Sequence, residues 1–250
     1  MRVQHSNPID YVLELEKDIY LNEYLGKKIR LTYTGNIFCI AMKAKIKKTF
    51  GHGYSYKSFI SLPECDICIV RPELCHFSKG TCRDEQWGLQ NCFQDHYVYL
   101  SLTSNLKIGI TRKVNTPTRW IDQGAIKALP ILKVKNRLDA GNIESYLSKY
   151  FSDKTNWRNM LLNKCDDVNL FDFKMKSLDY LKDFKTPYDI LDENELDFKY
   201  PVLEYPKKIT SIDLEKKGIF EDRLIGIKGQ YLIGENGVIN LRKYQGYEIT

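Results

Sequence analysis

Residues 96–125 run HYVYLSLTSNLKIGITRKVNTPTRWIDQGA, and the rest of the chain is organised around them. Two apolar runs, Val98–Leu102 and Leu106–Ile110, flank Thr103-Ser104-Asn105, a polar trio of the kind that turns one strand back on the next. The pattern predicts a β-hairpin. Its second strand continues through Gly109, Thr111 and Arg112, after which Thr116-Pro117 offers an N-cap hydroxyl and then a proline at the first helical position. A helix is therefore expected from near Pro117. Trp120, Ile121, Ala125 and Leu129 would form its apolar stripe, Arg119 and Gln123 would share a face off that stripe, and Pro130 would end it. The order strand, turn, strand, helix brings Tyr99, Lys107, Thr111 and Arg119 to one corner, where a phenol and two cations would share a pocket.

This succession of VYL, a short turn, KIG, a threonine and an Arg-Trp pair on a helix resembles the core of the GIY-YIG nucleases. The resemblance implies a small antiparallel sheet with flanking helices. It also implies phosphodiester cleavage with a divalent metal, carried by the first motif's tyrosine, the helix arginine and a glutamate on a later helix. In this chain the matching residues are Tyr99, Arg119 and Glu144, and Gly109 matches the second motif's glycine. Tyr97 stands where the first motif has glycine, and Lys107 where the second has tyrosine. The lysine form occurs in divergent branches of that superfamily, so the departures bear on catalysis more than on fold. The whole chain is also similar to a bacterial family of unknown function that joins cysteine knuckles to this core, a kinship that supplies no activity. The implied catalytic set is Tyr99, Lys107, Arg119 and Glu144, with Mg2+ or Mn2+ as the working ion. Thr111, Arg112, Gln123 and Asn156 would line the substrate cleft.

Just upstream lies Cys65-x2-Cys68-x6-Cys75-His76-x5-Cys82-x9-Cys92-x3-His96. A C-x2-C pair puts two thiolates on one tight turn at the separation a tetrahedral ion requires, and the later cysteines offer the other half. Zinc is expected, with Cys65, Cys68, Cys82 and Cys92 as ligands and Cys75 as the alternative; His76 and His96 are weaker candidates. Free buried thiols are the competing reading. Four thiolates leave no open position for water, so the zinc would be structural. Arg71 and Arg83 can bind phosphate or pair with Glu73 and Asp84, and pairing is favoured. Trp87 either stacks on a base or seals the zinc loop, the commoner arrangement. Earlier, Phe38–Met42 and Gly53–Ser58 have the outline of two knuckles that keep only Cys39. The family resemblance puts cysteines at Met42, Ser55 and Ser58. One thiolate cannot hold zinc, so no metal is expected there and Cys39 should pack as a small apolar side chain.

With 250 residues and 43% apolar content the chain can bury a substantial core, and the expected class is α+β. A net charge of +6 favours nucleic acid over acidic partners. No 18-residue apolar run and no cationic head with an apolar stretch are present, so no membrane partner and a cytoplasmic location are expected. Asp10–Leu25 suits a short helix or a strand. Lys28–Ile40 reads as a hairpin turning at Thr34-Gly35-Asn36. Lysines 43, 45, 47 and 48 form either a phosphate-facing edge or a solvated one that discourages aggregation. Ile131–Val134 reads as a third strand, and Gly141-Asn142 as the approach to a helix whose core would include Ile143, Leu147, Tyr150 and Phe151, with Glu144 in its first turn. Asp153–Arg158 is a polar cluster that brings Asn156 or Arg158 to the cleft. From Cys165 to Pro206 no period is evident and a connector is expected. Leu224–Ile249 alternates around an Asn236-Gly237 hairpin turn.

Four regions follow: an N-terminal β-rich region with a degenerate knuckle (1–60), a zinc segment (61–96), the GIY-YIG-like core (97–164), and a connector with a C-terminal hairpin packing on the N-terminal strands (165–250). The leading functional expectation is a divergent metal-dependent endonuclease acting on nucleic acid. The alternatives are a non-catalytic zinc-containing nucleic-acid-binding protein and an interaction scaffold. Convergence of Tyr99, Arg119 and Glu144 on one open cleft separates them.

Overall fold

The computed structural model describes residues 1–15, 17–151 and 155–250 and is a mixed α+β structure with antiparallel sheets. Contacts divide the chain into two units: residues 1–61, 161–163 and 198–250 form one, and residues 62–160 and 164–197 the other.

In the first unit, β1 (Arg2–Gln4), β2 (Asp10–Leu13) and β3 (Ile19–Tyr20) make a small antiparallel sheet. Among its described residues, the stretch 10–25 thus holds strand and a 3-10 turn and no helix of the expected kind. Tyr11 and Val12 are both buried, and the Asn22 side chain accepts from the Tyr11 N–H (3.0 Å) and donates to the Ile9 carbonyl (2.9 Å). Side-chain bonds to backbone of this kind compete with helix. β4 (Lys28–Phe38) runs unbroken through Thr34-Gly35-Asn36, so the expected hairpin is absent. Gly35 takes up φ +89° at an irregularity in the pairing, and Thr34 and Asn36 hydrogen-bond Glu248 on the neighbouring strand. β5 (Lys45–Ile46) lies beside β4, and α1 (Tyr56–Ser61) follows.

The second unit opens with 3-10 turns and α2 (Glu85–Asn91), then β6 (His96–Leu102) and β7 (Leu106–Arg112), paired Val98 to Ile110, Tyr99 to Gly109 and Leu100 to Ile108. α3 is only Thr118–Asp122. The Thr116 hydroxyl turns back to the Lys113 carbonyl (2.7 Å) instead of capping it. β8 (Lys127–Val134) then begins before Pro130, which sits inside the strand and does not end a helix. A register shift between Val98 and Tyr99 places Pro130 opposite Tyr99, where its missing N–H is tolerated. α4 (Arg137–Leu147) starts earlier than expected, because Asn136 caps it by accepting from the Asp139 N–H (2.9 Å). Gly141 is therefore mid-helix, and Glu144 belongs to its later turns. α5 (Trp157–Leu161) and α6 (Leu170–Tyr180) follow, with short β9 (Asp189–Ile190) and β10 (Leu196–Asp197). α6 occupies the supposed connector. Its inward stripe includes the buried Lys174, whose ammonium donates to the Leu191 carbonyl, and that polar position hid the helical period.

The sheet runs β10-β8-β6-β7, with β9 also on β8. Val98, Leu100, Ile108, Leu129 and Ile131 meet Ala140, Ile143 and Leu147 of α4 and Leu170 of α6 in one apolar core. Each fully buried side chain of this size contributes about 1.5–3 kcal/mol. Tyr97, Tyr99 and Ser101 alternate with Val98 and Leu100 and so share the opposite face with their partners Thr111, Gly109 and Lys107.

The chain then returns to the first unit with α7 (Leu214–Lys217), β11 (Ile219–Lys228), β12 (Tyr231–Gly234), β13 (Val238–Asn240) and β14 (Tyr247–Ile249). The order β13-β12-β11-β4-β14 puts the N-terminal β4 between two C-terminal strands. Asn236-Gly237 joins β12 to β13, and Asp222 holds that turn by accepting from the Asn236 N–H (2.8 Å) and its amide (3.0 Å). Among the described residues no helix is long and apolar enough to cross a membrane.

Candidate functional site

The Tyr99 ring lies across Gly109, its partner on β7. A Cβ built on Gly109 would stand 2.6 Å from the Tyr99 hydroxyl, so only glycine leaves room for the ring. Trp120 of α3 packs against it edge-on, with centroids 5.6 Å apart. Tyr99 is 1% exposed, and its hydroxyl donates to Gln123 Oε1 at 3.1 Å. Burial pushes the phenol up to about 12, with Glu144 adding to the rise; Arg119 opposes it, by its charge and by a hydrogen bond to the phenol, as does the bond to Gln123. Arg119 and Gln123 therefore touch the phenol, and Glu144 acts on it electrostatically. Arg119, Gln123 and Glu144 are half-buried, whereas Tyr99 is fully buried. A phenol this hard to ionise is a hydrogen-bond donor at neutral pH and not a base.

The other expected residues spread along the hairpin. Lys107 and Thr111 share the Tyr99 face of the sheet but are 7% and 5% exposed. Arg112 reaches away to the Asn91 side chain. Asn156 lies at the opposite end, its N–H donating to Ser104 Oγ (3.0 Å) and its side chain accepting from the Asn159 N–H (3.2 Å). Asp153 and Lys154 of the polar cluster lie outside the described residues.

The cysteine-rich segment is a chain of 3-10 turns ending in α2, and it closes around a cavity of about 10 Å3, close to the space one ion or water fills. Cys68, Cys75, Cys82 and Cys92 line it together with Asp66, His76 and Trp87; Cys65 is not among the lining residues. Ligand atoms of Asp66, Cys68 and His76 lie within 4.8 Å of one another, a buried cluster that could hold a metal ion. Asp66 is already committed, though. It accepts from the Cys68 N–H (3.2 Å) and pairs with Arg83 (2.8 Å), so Arg83 finds Asp66 and not Asp84, which instead caps α2 through the Trp87 N–H (2.8 Å). Both His76 nitrogens have partners too, Thr81 at 2.8 Å and Asp66 at 3.5 Å. The thiols are engaged as well: Cys82 Sγ donates to the Asp84 carbonyl (3.3 Å), and Cys68 hydrogen-bonds Asp66. Cys68 feels Cys75 and Cys92, and Cys92 feels Cys75 and Cys82. Burial, then the Asp66 charge, pushes the Cys68 thiol up to about 12, so binding an ion there must displace a proton. Arg71 pairs with Glu73 at 3.0 Å.

His96 heads β6, fully buried. Its Nδ1 lies 2.7 Å from the Gln94 carbonyl, which can only accept, so Nδ1 carries the proton. In the first unit Cys39 is not simply an apolar filler. Its sulfur accepts from the Ser55 N–H (3.2 Å) and sits 3.4 Å from Ser58 Oγ. Burial raises this thiol, but the bonds from Ser58 and from the Met42, Ser55 and Ala41 backbone outweigh it and bring it down to about 6.

A family model described as "Protein of unknown function (DUF2797)" matches residues 26–249. No curated protein and no solved structure matches the chain.

Proposed function

The chain belongs to this uncharacterised domain family over residues 26–249, so its chemistry has to come from its own residues, and we propose that the second unit is a divergent GIY-YIG-like core that cleaves phosphodiesters in nucleic acid. The observation that carries the proposal is that the Tyr99 phenol hydrogen-bonds Arg119 and Gln123 and lies within electrostatic reach of Glu144, which comes from a different helix. Arg119 would neutralise charge growing on the phosphate, and its planar fork suits that task. Glu144 would hold Mg2+ or Mn2+, which supplies charge stabilisation at the leaving oxygen. Tyr99, protonated at neutral pH, orients Arg119 and Gln123 and is assigned no role as base. Lys107, on the same sheet face, adds positive charge.

The cysteine cluster complements this core as a structural metal site: Cys68, Cys75, Cys82 and Cys92 line one small cavity with Asp66 and His76, and a thiolate-rich donor set suits zinc. Thiols kept for metal suit a reducing cytoplasmic setting.

Incubation with mixed DNA and RNA and Mg2+ or Mn2+ tests the reading. Wild type should give products, and Arg119→Ala and Glu144→Ala should each lose about 100-fold or more in rate. Products undiminished in both variants would overturn it. The burial of Tyr99, at 1% exposure, favours a second reading in which the same face binds nucleic acid without cutting; binding with no products from wild type would select it.

A further inference from the structure

The cysteine cluster and the Tyr99 corner share a single element, α4. Its first residue, Arg137, donates its backbone N–H to the Cys92 carbonyl (2.9 Å) and its guanidinium to the carbonyls of Cys68 (3.4 Å) and Ile69. One turn on, Gly141 presses against the backbone of the cysteine segment, where an added Cβ would stand 2.6 Å from the Glu73 nitrogen and from the Pro72 carbonyl carbon. Glu144 comes one turn after that. Positions 137, 141 and 144 share one helix face, so anchor, contact and carboxylate lie in one row. Glu144 and the sulfurs of Cys68 and Cys92 are all within electrostatic reach of the Arg137 guanidinium.

We propose that Arg137 is a positioning residue that makes the placement of Glu144 depend on occupancy of the cysteine cluster by metal. The proposal rests on the reading of Glu144 as the site of the working divalent ion. Cys68 and Cys92 stand far apart in sequence but line the same small cavity, so a metal held there would tie together the two stretches whose carbonyls Arg137 joins. The segment around them consists of 3-10 turns and one short helix, so its own regular structure does little to hold those carbonyls in place. With the ion gone, the anchors of α4 separate and Glu144 moves relative to Tyr99 and Arg119.

The test uses the full chain and needs no turnover. Amide hydrogen exchange across Ile143–Leu147 and Mn2+ affinity by titration are measured for wild type with zinc, wild type stripped by a chelator, and Arg137→Lys and Arg137→Gln with zinc confirmed bound. Arg71→Gln, which removes an exposed pair in the same segment, is the control. Both Arg137 variants should keep zinc, weaken Mn2+ binding by about tenfold or more and speed α4 exchange, as outer-shell partners of metal sites do. Stripped wild type should match them, and stripping the variants should add little further. Unchanged α4 exchange in stripped wild type, or in both zinc-loaded variants, would overturn the proposal. Wild type that binds no Mn2+ would refute the nuclease reading, and the exchange data would still decide the coupling.

Discussion

Gly109 and Tyr99 show how one residue can exist for another. They pair across the hairpin, and the ring occupies the space a side chain at 109 would need. Gly109→Ala should cost about 1–3 kcal/mol through the clash, read as a lowered denaturation midpoint, whereas Gly35→Ala meets nothing within 4 Å and tests backbone conformation alone. His96 sets a pH limit. Burial chiefly, with Arg137 and Arg112 nearby, lowers its ionisation from 6.5 to about 4. Its folded value lies below its unfolded one, so the stability it confers is complete above pH 6.5 and is lost as pH falls toward 4. His96→Gln should flatten stability across that window; an unchanged acid limb in chemical denaturation would show that another group controls it. At this scale the sequence was informative where a hairpin pattern fixed which residues pair, as for Tyr99 and Gly109. It was silent on which cysteines line the small cavity, because that depends on which way each turn faces.

Elements were legible where period and turn chemistry agreed. The hairpin of β6 and β7 and the Asn236-Gly237 turn are of that kind. Tertiary contacts decided the failures. Leu129 completes the apolar face of a strand, so the stripe shared with Trp120 and Ile121 is no helix stripe and Pro130 lies inside β8. Gly141 looked like a helix approach, but a glycine inside α4 has a packing reason: the backbone of Pro72 and Glu73 lies against it. Gly141→Ala is the corresponding prediction. Helix propensity alone favours alanine by about 1 kcal/mol, but contacts of 2.6 Å to backbone cannot relax by a side-chain rotation, so overpacking should win and the variant should be less stable. A stabilised variant would mean that α4 does not rest on the cysteine segment.

For the whole molecule, the two units differ in how locally they are built. The first depends on β4 pairing with β11 and β14, partners from the other end of the chain, so neither end can complete the sheet alone. The core of the second lies entirely between Val98 and Leu181, with Phe184 and Tyr188 packed against it, and its cysteine cluster lies just upstream. A fragment of residues 62–197 should therefore fold without the rest, provided zinc is present, and give a dispersed amide spectrum and cooperative unfolding. Chelation should reduce that cooperativity, because the turns around Cys68 and Cys75 then lose the ion that orders them. Uptake should also release protons and weaken as pH falls, since Cys68 and Cys92 are both held above the usual thiol range by burial and must ionise to bind. A fragment 1–61, by contrast, keeps β4 but neither neighbour and should remain unfolded. Were 1–61 to fold and 62–197 to fail, stability would flow from the terminal sheet, and the Tyr99 corner could not be the independent core on which a nuclease site was built.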